Sequence, residues 1–142
     1  MTRSIFLLFA LILGLCWLPP GWTGQPGETE QQPQRVLMTL TITDNGKEIE
    51  VKQEDALRVE LEGAGATGYL WQIRDLDRSR LDLVNQSTRV LLSDGRMGGP
   101  VLSVFTFKAL SKGTVVLTID YFRPWEGREK SEKTFSVKIN IV

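Results

Sequence analysis

From Val36 onward the chain alternates apolar and polar residues with a period of two. Val36, Met38, Leu40 and Ile42 alternate with Leu37, Thr39, Thr41 and Thr43, which predicts a strand with one mostly polar face. Asp44-Asn45-Gly46 follows, a local sequence that favours a type I′ hairpin leading into a strand over Lys47 to Lys52. Leu57, Val59 and Leu61 mark the next strand, and Tyr69 to Ile73 a short one carrying Trp71. Asp75 to Leu83 is charged and poorly patterned, so a loop or a single helical turn is expected there. Strand resumes over Thr88 to Ser93, then over Val101 to Leu110 with Phe105 and Phe107. Lys112-Gly113 turns the chain into Thr114 to Phe122, where Val115, Leu117, Ile119 and Tyr121 share a face. The last strand places Phe135, Val137, Ile139 and Ile141 inside and Ser136, Lys138 and Asn140 outside.

About eight short strands with no amphipathic helix predict an all-β domain, an immunoglobulin-like antiparallel β-sandwich. Trp71 is then the core tryptophan on a middle strand. No cysteine pair is available for it to pack on, because the only cysteine is Cys16. The sandwich is not of the antibody type.

Three segments interrupt the strands: Gly63 to Tyr69, Gly95 to Pro100, and Arg123 to Gly127. They hold seven of the eight glycines beyond Gly46 and both prolines after Pro33, so the conformationally special residues are gathered in three loops. Taken alone, the first reads as a flexible connection and the second as a glycine-rich hairpin tip with Met97 exposed. Arg123-Pro124-Trp125 reads differently. A tryptophan beside proline in a charged turn is poorly placed for core packing, and Trp and Arg lead among binding hot spots. The three lie about 30 residues apart, as alternate turns of a sandwich do when they return to one end.

Composition removes other classes of function. With 17 basic and 17 acidic residues the formal net charge is zero, so nothing points to nucleic acid. The chain contains no histidine. No Ser-His or Cys-His nucleophile can be assembled, and no His/Cys metal site, so neither catalyst nor cofactor is expected. A carboxylate hydrolase ranks last, since Glu126 is the one acid within the special loops.

The N-terminus reads as an export signal over residues 1–24. Arg3 precedes 14 mostly large apolar residues from Ile5 to Leu18, and Pro19-Pro20-Gly21 ends any helix. Leu13-Gly14-Leu15-Cys16 resembles a lipoprotein box, except that Leu15 is bulky where that pattern wants a small residue. Simple export to the periplasm or medium is the expectation, with a lipidated or uncleaved anchor as the alternative. Residues 25–35 are polar, with two prolines, and are expected to form a disordered tether to a domain spanning 36–142.

At this point the residues resemble a known family, the chagasin-like inhibitors of papain-family cysteine peptidases. That family carries an Asn-Pro-Thr-Thr-Gly-Tyr/Phe loop, a Gly-x-Gly-Gly loop and an Arg-Pro-Trp loop, in this order. Here the first is Ala64-Gly65-Ala66-Thr67-Gly68-Tyr69, followed by Trp71, and the third is Arg123-Pro124-Trp125. Phe105-Thr106-Phe107-Lys108-Ala109 and Gly113 also fit the pattern. Two departures stand out. Ala64, Gly65 and Ala66 replace the Asn, Pro and first Thr, and Arg96 stands where the first glycine of Gly-x-Gly-Gly falls. A first loop without its proline is looser and loses more entropy on ordering, which lowers affinity.

The resemblance implies a reversible, competitive inhibitor whose three loops fill the peptidase cleft, acting as a monomer. The implied contact residues are Ala66, Thr67, Gly68 and Tyr69, then Met97, Gly98 and Gly99, then Arg123, Pro124 and Trp125. Thr67 would approach the catalytic cysteine of the target, and Trp125 would rest near its histidine. The rival is a non-inhibitory immunoglobulin-like envelope or adhesion module that binds carbohydrate or protein. It leaves the coincidence of the three loop sequences unexplained.

Overall fold

The computed structural model describes residues 36–91 and 98–142. The expected export signal and tether, Cys16 and Met97 lie outside the described residues. Pro33–Val142 is a compact unit that holds both sheets and a core of its own. A unit with its own core can fold alone.

Alternation builds eight strands: β1 (Val36–Leu40), β2 (Glu48–Val51), β3 (Ala56–Gly63), β4 (Leu70–Ile73), β5 (Leu81–Val90), β6 (Val101–Ala109), β7 (Gly113–Phe122) and β8 (Lys133–Ile141). They form two four-stranded sheets in the orders β1-β3-β6-β5 and β2-β8-β7-β4. The β-sandwich expected from the periodicity is present. Leu57, Val59 and Leu61 of β3 and Phe105 and Phe107 of β6 face Val115, Leu117 and Ile119 of β7 and the inward face of β8. Each such side chain contributes about 1.5–3 kcal/mol through its removal from water. This layer holds the sandwich without any disulfide.

Local signals were overruled in three places. Asp44-Asn45-Gly46 makes no I′ hairpin, because β1 pairs parallel with β3 while β2 pairs parallel with β8, in the other sheet. Asn45 at φ −56°, ψ 131° followed by Gly46 at φ 79° is type II geometry. The partner that wins these residues is β8: Gly46 N–H donates to the Ser136 carbonyl at 2.7 Å, and Ser136 N–H to Asn45 Oδ1 at 2.8 Å.

Second, β5 starts at Leu81, well before Thr88. Leu81 is fully buried, but the register shifts between Leu83 and Asn85, and residues 84–90 are exposed on this edge strand. The bulge and the missing second partner erase the alternation a core strand would show. Third, Trp71 is buried as expected, yet β4 is an edge strand rather than a middle one. Its indole N–H donates to the Glu62 carbonyl at 3.0 Å, at the end of β3 in the other sheet. Trp71 thus ties the two sheets together beside the first loop.

The β3–β4 connection, residues 98–99 of the β5–β6 connection and the β7–β8 connection come together at one end of the sandwich. At the other end, Leu110 N–H donates to the Arg80 carbonyl at 2.7 Å and Ser111 Oγ to the Ser79 carbonyl at 2.8 Å. There the β4–β5 and β6–β7 connections brace each other.

Candidate functional site: a three-loop surface

The surface rests on an aromatic stack rooted in the core. The Trp71 ring lies 4.8 Å from that of Tyr121, and Tyr121 stacks on Tyr69 at 5.2 Å. The Arg123 guanidinium caps the series 4.5 Å from the Tyr69 centroid. Cation–π contact of this kind adds to the packing. Tyr121 also reaches upward, its hydroxyl accepting from Ala64 N–H at 2.8 Å. The platform therefore transmits the rigidity of β7 to the loop above it.

The first loop is fitted tightly. Thr67 Oγ1 donates to the Ala64 carbonyl at 3.0 Å, closing a turn over Gly65 and Ala66. Ala66 holds φ 61°, a left-handed conformation that costs a non-glycine residue about 1 kcal/mol. Gly65 lies directly under the Gly99 carbonyl, so a Cβ at position 65 would collide with it. Gly98 likewise lies against Ala66. The first and second loops touch backbone to backbone.

The third loop begins as a turn in which Glu126 N–H donates to the Arg123 carbonyl at 3.0 Å. Pro124 occupies the second position of that turn, where its fixed φ is favourable. Trp125 at the third position is thrust outward and stays 70% exposed. Its indole edge lies on the backbone of Gly68, where a Cβ would collide with the ring and where φ is 78°. Gly68 is required on both grounds.

Arg123 turns inward. Its Nε donates to the Thr67 carbonyl at 3.0 Å, and one terminal nitrogen meets Glu126 Oε1 at 3.2 Å. Arg123, implied above as a contact residue, also braces the first loop against the third.

Ala66, Thr67, Gly68, Tyr69, Gly98, Gly99, Arg123, Pro124 and Trp125 are thus gathered at one end, while Met97 lies outside the described residues. Sequence reasoning missed Gly65 and Tyr121 as members of the surface. The glycine's signal was its position in the motif, but its steric partner is more than thirty residues away. Tyr121 reads as one more core residue of β7, because its burial hides what its hydroxyl does.

No group of three or more His, Cys, Asp or Glu able to hold a metal occurs among the described residues. The surface offers shape, exposed aromatic area and backbone amides, which suit binding.

The model of the chagasin family peptidase inhibitors I42 matches residues 50–139, from β2 through β8. This chain belongs to the chagasin family. The match spans the residues of all three loops. The family consists of peptidase inhibitors and not of enzymes. No curated protein matches the chain. Among solved structures, the cysteine protease inhibitor EhICP2 from Entamoeba histolytica is similar with TM-score 0.67 and 22% identity, over 75% of this chain and 98% of that one. Amebosin, solved in solution, matches with TM-score 0.57 and 21% identity over 74% and 97% of the two chains. PbICP-C, solved in complex with falcipain-2, matches with TM-score 0.56 and 16% identity over 73% and 89%. These likenesses carry the fold.

Proposed function

We propose that this chagasin-family protein is a reversible, competitive inhibitor of papain-like cysteine peptidases, and that its three loops form the wedge that fills the active-site cleft. The observation that carries the reading is Trp125, a large indole left 70% exposed at the tip of a turn braced from both sides. A rigid exposed aromatic loses little entropy on binding and removes much apolar area from water, which is what a hot spot needs. The complex of PbICP-C with falcipain-2 supports the class of partner.

In this reading Ala66, Thr67 and Gly68 enter the cleft, and Tyr69, held between Tyr121 and Arg123, supports them from beneath. Gly98, Gly99 and Met97 lie against one rim, and Pro124 and Trp125 against the other. No histidine or cysteine of the inhibitor is available to the target's chemistry within residues 36–142, so inhibition is by exclusion of substrate. A footprint of about 800 Å² per partner suffices. The acting unit is the monomer, delivered outside the cytoplasm by residues 1–24, either free or held at the membrane through Cys16.

The test is a titration of Pro33–Val142 against papain and several cathepsin L-like enzymes. Inhibition that weakens as substrate is raised supports the proposal. Absence of inhibition at micromolar concentration across all of them ends it.

A further inference from the structure

Asp120 is the one charged residue among the described residues whose side chain is fully buried, and the inhibitory surface makes no direct use of it. It lies on the outer face of β7, opposite the core. A carboxylate there should face water. It is covered because the β7–β8 connection folds back over its own sheet after Trp125.

The cover is ionic and well formed. Arg74 grips Asp120 with two hydrogen bonds of 2.8 Å, Arg128 donates a third at 2.8 Å, and Thr134 Oγ1 a fourth at 3.0 Å. Burial alone would push the Asp120 carboxyl up, but these hydrogen bonds outweigh it and hold the pKa below its ordinary value. Three separate chain segments meet at this carboxylate: the end of β4, the return limb of the third loop, and the start of β8.

Of the four bonds, the one from Arg128 matters most to the loop surface. Arg128 also donates to the Ile73 carbonyl at 3.3 Å, and its guanidinium lies 5.0 Å from the Phe122 ring centroid. Ser131 Oγ and N–H both return to the Arg128 carbonyl, at 2.7 and 3.0 Å. The limb is thereby pinned side chain and backbone. Arg123 fixes the strand leaving β7, and Arg128 fixes the strand returning to β8. Trp125 hangs between these two points.

We propose that Arg128, acting through buried Asp120, is a positioning residue that holds Trp125 in its presented pose. The role rests on the inhibitor reading above, but the pose itself does not. Without the Arg128 anchor the turn keeps Arg123 and its own hydrogen bond, and the return limb is next held at Glu132, whose N–H donates to the Tyr121 carbonyl at 2.9 Å, so residues 127–131 are free to swing. Trp125 then has to be ordered at the moment of binding, a cost that falls on complex lifetime rather than on encounter.

The test compares Arg128→Gln with the wild type of Pro33–Val142 in two readouts. The first is the dissociation rate from papain, expected to rise about tenfold, the equivalent of ordering one large side chain. The association rate should stay within about twofold. Ile139→Val, deep in β8, serves as a control that lowers the melting temperature without altering dissociation. The second readout needs no peptidase: 5-fluorotryptophan labelling, since Trp71 and Trp125 are the only tryptophans of this unit. Arg128→Gln should shift and average the Trp125 resonance and leave Trp71 in place. Asp120 keeps Arg74 and Thr134 in this variant, so the fold is retained. Should it fail to fold, Arg128→Lys is read instead, with shifts in the same direction but smaller. An unchanged Trp125 resonance, or a dissociation rate equal to wild type at a lowered melting temperature, overturns the proposal. A wild type that inhibits no peptidase removes the inhibitor reading alone, and the fluorine resonance still decides whether Arg128 holds Trp125.

Discussion

Residues 64–69 of the first loop keep their place through backbone fit, whereas residues 123–132 of the third keep theirs through charge. In the first, Gly65 slides under the Gly99 carbonyl, Ala66 accepts a left-handed φ, and one threonine hydroxyl closes the turn. In the third, Arg123 and Arg128 clamp the two limbs, one onto the Thr67 carbonyl and the other onto the buried Asp120. The difference follows from what each loop must offer. In the proposed complex the first loop enters the cleft, so the side chains that brace it, the Tyr121 hydroxyl on Ala64 N–H and Arg123 on the Thr67 carbonyl, reach it from below and beside. An indole held out in water needs anchors at some distance from itself. The missing proline of the first loop is also put in perspective: glycine at 65 permits the contact with Gly99, a fit that a ring or even a methyl would block.

The largest effect expected from breaking this contrast is on stability. Asp120→Ala leaves Arg74 and Arg128 without their shared partner and should cost about 3 kcal/mol in urea unfolding. The same carboxyl sets an acid limit. Its pKa is lowered in the fold, so its contribution is fully present above the ordinary carboxylate value of 3.8 and is lost as pH falls through the lowered one. Unfolding midpoints should therefore fall in that acid window, and fall less there in Asp120→Asn, where the lowered carboxyls of Asp44, Glu48 and Asp77 account for what remains.

Trp125→Ala comes next and acts on binding alone. Inhibition should weaken about a hundredfold while the melting temperature stays nearly unchanged, as suits a residue 70% exposed. A large fall in melting temperature would place Trp125 in the fold rather than at its surface. Gly65→Ala tests the opposite principle. Its methyl must displace the Gly99 carbonyl, and a loss of inhibition of about tenfold is expected with the third loop untouched. The smallest effect is a gain: Ala66→Gly relieves the left-handed strain and should stabilise the domain by about 0.5–1 kcal/mol.

The sandwich was legible wherever a strand has a core on one face and water on the other. β8 shows this most clearly, since Phe135, Val137, Ile139 and Ile141 alternate with residues facing outward. It was illegible where the partner was distant or absent. Asp44-Asn45-Gly46 carries a hairpin sequence, but its hydrogen bonds go to Ser136, which no local window contains. β5 has one neighbour and a bulge between Leu83 and Asn85, so its start, Leu81 to Leu83, reads as a continuation of the charged segment before it.

The loop surface divides in the same way. Arg-Pro-Trp could be read because a tryptophan in a charged turn conflicts with core packing. The inward course of Arg123 could not, because its acceptor is the backbone of Thr67 in another loop. Asp120 was the least visible. In the alternation of β7 it stands where solvent-facing residues stand, and Arg74, Thr134 and the returning limb together bury it.

The central claim is that the gathered loops occupy the cleft of the target. The most direct measurement is calorimetric binding of Pro33–Val142 to papain before and after the papain cleft is filled by a covalent peptide inhibitor on its catalytic cysteine. The account predicts binding to the open enzyme and none to the filled one. Equal binding to both would place the contact outside the cleft and contradict it.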